Sequence, residues 1–195
     1  MTEQPTISSH RTATGIGPGR LVLVVGPSGA GKDTLIGLAR AASADDGTIV
    51  FPRRVVTREP SSFEDNEQVS LEAFAQARAQ GEFAVHWQAH GHCYALRRAI
   101  DDQIGAGRAV VANVSRTVVE AMRRAYADVV VVSITAPSEI LSQRLAARAR
   151  GSDGRIANRL YRAVDDAAAR PDFTIMNVGS AEDHAREFLR VIRNV

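Results

Sequence analysis

The chain has 195 residues, of which 45% are hydrophobic and 24% charged, with a formal net charge of +2. That profile predicts a soluble globular protein long enough to bury a core, with no basic excess for nucleic acid and no stretch apolar enough to cross a membrane. The single cysteine, Cys93, rules out an internal disulfide and suits a reducing compartment, so a cytoplasmic location is expected.

Residues 1–19 are rich in Ser, Thr, Gly and Pro and lack the apolar centre of a signal peptide. A disordered tail is expected there, followed by one domain over 20–195. The first strand is predicted at 21–25, and it runs straight into Gly26-Pro27-Ser28-Gly29-Ala30-Gly31-Lys32-Asp33-Thr34. This is a phosphate-binding loop with an irregular letter, since the position after Lys32 ordinarily holds Ser or Thr. Its glycines let successive N–H groups point inward, and the helix predicted at 32–42 adds its positive end. Lys32, the chain's only lysine, is expected to neutralise the transferring phosphates. All nine loop residues from Gly26 to Thr34 are therefore expected at the nucleotide.

Further strands are predicted at 49–57, 109–114, 129–135 and 173–178, with helices at 70–80, 95–106, 117–126, 137–149, 155–170 and 181–193. Runs such as Val129-Val130-Val131-Val132 show no polar alternation, which indicates strands buried on both faces of a parallel sheet. Alternation of such strands with helices predicts a doubly wound α/β domain, with ligands at the carboxyl ends of the strands.

Two arginine groups follow the later strands. Arg144 and Arg148 share one helix face, and Arg155, Arg159 and Arg162 share the next, with Gly151 and Gly154 between them. A helical hairpin of this kind, spanning about 144–162, could close guanidinium groups onto a phosphate and exclude water. No strand is expected to end in Asp, so Asp33 is the candidate for magnesium, with Glu59, Asp65 and Glu67 weaker choices; the alternative is that Asp33 caps or salt-bridges the helix start. His86, His90 and His92 lack the paired spacing of a zinc site.

The arrangement resembles the guanylate-kinase-like branch of nucleoside-monophosphate kinases over about 19–177. The resemblance rests on the phosphate loop, Thr57-Arg58, Gly81-Glu82-Phe83, Gly91-His92-Cys93-Tyr94, and the pattern Arg144-Leu145, Arg148, Arg159-Leu160, Ala163. It implies a P-loop NTPase fold, a parallel β-sheet flanked by helices with an arginine-bearing helical lid, and an acceptor region at about 52–96. It also implies that Arg58 and Tyr94 hold the acceptor phosphate and that Lys32, Arg148 and Arg159 act on the ATP phosphates. Three departures stand against guanylate as acceptor. Ser61 replaces an arginine, Val85 replaces the guanine-reading carboxylate, and Asn113-Val114-Ser115-Arg116 replaces Asp-x-Asp.

Those departures are similar to a narrower family, the ribose 1,5-bisphosphate phosphokinases of phosphonate catabolism, through Gly31-Lys32-Asp33-Thr34, Thr57-Arg58 and Ser115-Arg116. That resemblance implies ATP-dependent formation of 5-phosphoribosyl 1-diphosphate, with magnesium and with Arg58, Tyr94, Ser115 and Arg116 at the acceptor. The expected partners are small molecules, without nucleic acid or membrane, and a homodimer is compatible with the chain. A kinase with a nucleoside monophosphate or another small phosphorylated acceptor is the alternative.

Overall fold

The computed structural model describes residues 15–58, 65–148 and 170–194. Its centre is a five-stranded sheet in the order β2 (Ile49–Val50), β7 (Ala109–Asn113), β1 (Arg20–Val25), β8 (Val129–Thr135), β9 (Phe173–Met176). Every pairing in it is parallel. The run 129–132 is apolar without alternation because β8 lies between two strands and two packed layers. Residues of β1 alternate between those layers with the period of two that a strand imposes. Leu21, Leu23 and Val25 pack on one side with Trp87, Leu96, Ile100 and Met122. Val22 and Val24 pack on the other with Leu35, Phe188 and Ile192.

The second layer is made by α1 (Lys32–Ala42) and α6 (Ala181–Asn194). Phe188 is fully buried there, and burial of one such ring stabilises the fold by about 1.5–3 kcal/mol. Helix α1 starts where Gly31 takes a left-handed φ of 86°. It stops at Ser43, whose hydroxyl donates to the Ala39 carbonyl at 2.7 Å.

A second sheet, unforeseen in the sequence, has four strands in the order β4 (Asn66–Gln68), β3 (Arg54–Val56), β6 (His92–Arg97), β5 (Phe83–Ala89). The predicted strand 49–57 is in fact two, β2 in the central sheet and β3 in this one. The predicted helix 95–106 is also corrected: Ala95, Leu96 and Arg97 complete β6, and α3 (Ala99–Gly105) begins after it. Helical propensity at Ala95-Leu96-Arg97 loses to burial, because Ala95 and Leu96 are fully covered on opposite faces of the strand. Helix α2 (Leu71–Ala79) covers the outer face through Phe74 and Ala77, its start capped by the Ser70 hydroxyl.

The remaining elements are α4 (Val119–Ala125), preceded by a 3-10 turn at Arg116–Val118, and α5 (Ser138–Arg148). The tail boundary expected at 19 falls inside the fold. Ile16 bridges Tyr126, and the Gly19 N–H donates to the Ile104 carbonyl at 2.8 Å. The predicted helix 155–170 falls almost wholly outside the described residues, as do Arg155, Arg159, Arg162, Glu59 and Ser61. No described helix is long and apolar enough to cross a membrane.

Candidate active site

The phosphate loop leaves β1 at the carboxyl edge of the central sheet. Gly26 has φ 140°, and a Cβ there would stand 2.0 Å from the Ile134 carbonyl oxygen, so only glycine lets the loop pass β8. Lys32 folds back over the loop and donates to the carbonyls of Gly26 at 2.7 Å and Pro27 at 2.9 Å. Its ammonium thus sits at the mouth of the anion-binding turn, where a phosphate oxygen can exchange with those carbonyls. Ser28 and Thr34 are exposed on the loop surface.

A bolt from β9 and α5 holds the loop from behind. Buried Asn177 donates through Nδ2 to the Ala30 carbonyl at 2.7 Å. Arg144 donates to the Asn177 carbonyl at 3.0 Å and reaches the Gly29 carbonyl at 3.4 Å. Arg144 therefore ties α5, which carries Arg148 at its end, to the loop backbone. The side chain of Arg148 and the whole of Arg159 lie outside the described residues.

Asp33, in the first turn of α1, makes tertiary contacts, and of the alternative expected for it the salt bridge is present, to Arg54. The Asn113 amide donates to its Oδ1 at 2.8 Å, and Arg54 approaches the same oxygen at 3.5 Å. Among the described residues both contacts fall on Oδ1, which leaves Oδ2 as an oxygen donor one residue past Lys32 in the chain. A carboxylate oxygen at a phosphate loop fits the hard-oxygen preference of Mg2+. The other described carboxylates considered for that duty are engaged elsewhere. Asp65 pairs with Arg40 and Arg53 at 2.8 Å. Glu67 pairs with Arg97, whose guanidinium holds the Glu67 carboxyl below its usual range.

The stretch expected at the acceptor, about 52–96, builds most of the second sheet. Thr57 closes the end of β3 against β6, its hydroxyl accepting from the Cys93 N–H at 2.9 Å, and this sets the backbone from which Arg58 departs. Tyr94 stacks on Trp87 with ring centroids 5.8 Å apart and is largely buried. Ser115 caps the 3-10 turn that carries Arg116, accepting from the Thr117 hydroxyl at 2.9 Å. Val85 is fully buried in the core between the sheets. Gly81-Glu82-Phe83 has a structural duty. Glu82 pairs with Arg97, and the carbonyls of Gly81 and Phe83 accept from Arg98, which locks the junction of β6 with α3.

Sequence reasoning had not foreseen the contacts of Asp33 with Arg54 and Asn113, nor the Asn177 bolt. No local signal marks Arg54 or Asn177, because each acts on a residue distant in the chain.

A parallel sheet in this strand order, with a phosphate loop after its first strand and a small second sheet beside it, defines a P-loop phosphotransferase of the guanylate-kinase type. The guanylate kinase family model matches residues 18–193. A guanylate kinase from Anaplasma phagocytophilum has the same fold, with a TM-score of 0.66 at 22% identity over 92% of this chain and 86% of that one. The ribose 1,5-bisphosphate phosphokinase PhnN of Bradyrhizobium diazoefficiens is 65% identical over 93% of this chain and 92% of its own. Its counterpart in Rhodopseudomonas palustris is 61% identical over 95% and 94%, and that of Methylobacterium radiotolerans 51% over 90% and 98%. The chain belongs to the ribose 1,5-bisphosphate phosphokinase branch of the guanylate kinase family.

Proposed function

We propose that the chain moves the γ-phosphoryl group of ATP onto the 1-phosphate of ribose 1,5-bisphosphate, forming 5-phospho-α-D-ribose 1-diphosphate and ADP. The observation that carries this is the 65% identity to a kinase of that name across nearly the full length of both chains. Buried Val85 agrees with it, since an acceptor without a base needs no guanine-reading carboxylate. Phosphonate catabolism and a cytoplasmic location follow from the same reading.

An oxygen of the acceptor's 1-phosphate attacks the γ-phosphorus as the bond to the β,γ-bridging oxygen breaks. The attacking oxygen is already ionised, so no general base is required, and catalysis rests on alignment and charge neutralisation. The loop from Gly26 to Thr34 holds the triphosphate. Lys32 exchanges its carbonyl partners for β- and γ-oxygens. Arg148 and Arg159 close on the same charge. Arg58, Tyr94, Ser115 and Arg116 hold the acceptor, whose second phosphate accounts for Arg116 as an added cation. Asp33 is the residue that would hold Mg2+, which when bound neutralises the phosphates during transfer.

The test is incubation with ATP, Mg2+ and ribose 1,5-bisphosphate, followed by chromatographic detection of 5-phospho-α-D-ribose 1-diphosphate. Absence of that product, with turnover on a nucleoside monophosphate, overturns the proposal in favour of an ordinary nucleotide kinase.

A further inference from the structure

β7 pairs with β1 in a register that sets Asn113 beside Val24, two residues before the phosphate loop begins. In P-loop proteins the metal is held by a hydroxyl after the loop lysine and an Asp from a separate strand segment. Here the residue after Lys32 is a carboxylate, Asp33, and the end of the strand next to β1 carries a neutral amide, Asn113. The two are in contact, with Asn113 Nδ2 donating to Asp33 Oδ1 at 2.8 Å across 80 residues of sequence. Asn113 is only 8% exposed, so its amide has little solvent to turn to.

We propose that Asn113 is a positioning residue for Asp33, and that the two form the metal-facing pair of this site with its carboxylate and its neutral member exchanged between strand and loop. This rests on the Mg2+–nucleotide reading above. The physical requirement is one negative charge with a fixed direction. A Ser–Asp pair meets it, and so does an Asp–Asn pair, because the amide takes Oδ1 and leaves Oδ2 for the cation. Two carboxylates at this separation would repel, and one would tend to keep its proton. A Ser–Asn pair would carry no charge at all. Arg54, reaching the same Oδ1 from β3, adds a second anchor and joins the acceptor sheet to the loop.

The experiment measures Mn2+ binding by electron paramagnetic resonance with a non-hydrolysable ATP analogue, and analogue affinity with and without Mg2+ by calorimetry. The variants are Asn113→Ala, Asp33→Ser and Asp33→Ser/Asn113→Asp, each checked for cooperative thermal unfolding. Loss of a group that orients a ligand weakens metal binding about 10- to 100-fold, so Asn113→Ala is expected to weaken Mn2+ about tenfold. Asp33→Ser weakens it at least as much, while the exchanged double variant recovers to within about threefold of the parent chain. Recovery is a gain, which misfolding cannot imitate. Mn2+ affinity unmoved by Asn113→Ala, or a double variant no better than Asp33→Ser, overturns the exchanged pair. An unaltered chain whose analogue affinity ignores Mg2+ overturns the nucleotide reading beneath it, and the pair with it.

Discussion

Replacement of Gly31 by alanine tests how the phosphate loop is held. Gly31 has φ 86°, and a methyl group there would stand 2.3 Å from Asn177 Nδ2. Two costs follow. Alanine in the left-handed region costs about 1–2 kcal/mol. Asn177 must also withdraw, which breaks its 2.7 Å bond to the Ala30 carbonyl, and a buried polar group left short costs about 1–3 kcal/mol. Gly31→Ala is therefore expected to destabilise by about 2–5 kcal/mol, at about 3 °C of Tm per kcal/mol in a chain of this length. Asn177→Ala alone should cost only the hydrogen-bond part, about 1–3 kcal/mol. In the double variant that bond is already gone and the methyl group has room, so only the backbone cost is added. The double variant should thus be more stable than the summed single effects by about 1–3 kcal/mol. Urea unfolding of the four proteins, followed through Trp87 fluorescence, gives the cycle. Effects that add to within about 0.5 kcal/mol would refute the contact between Asn177 and position 31 as the source of the cost.

Lys32→Met should keep the fold and lower kcat/KM by about 10²–10³, because one preorganised cation is lost from the transferring phosphoryl group; a coupled ADP-release assay reads this. Arg116→Ala should raise the acceptor KM about tenfold and leave the ATP KM near that of the parent, and an unmoved acceptor KM removes Arg116 from the acceptor site. The Glu67 pKa is lowered in the folded chain by Arg97, so the pair's contribution is present above the unfolded carboxylate pKa and is lost as pH falls through the lower folded value. Both side chains are about a third exposed, so Glu67→Gln should cost at most about 1 kcal/mol at pH 7. That difference should vanish in acid, as read by urea unfolding from pH 7 down to pH 3.

Local spacing carried the central sheet and the phosphate loop. The runs at 21–25, 109–114 and 129–135 are strands because β-branched side chains buried on both faces leave no other reading. The second sheet was not legible. Its β5–β6 hairpin turns on His90-Gly91, with φ 54° and 79°, and His in place of the usual Asn or Asp conceals a two-residue turn. The strand β4 is Asn66-Glu67-Gln68, polar enough to read as loop, and it pairs with β3 while Arg97 binds Glu67.

By itself the sequence determined that this protein grips phosphates, since glycine spacing, a lysine and a preceding strand act over nine consecutive residues. Family membership was also written there, in motifs that run the length of the chain. Only the tertiary structure decided what Asp33 touches. Its partners, Asn113 and Arg54, lie on different strands of different sheets, and no periodicity along a chain records a contact that folding alone creates. The same holds for Asn177, which braces the loop from 147 residues away.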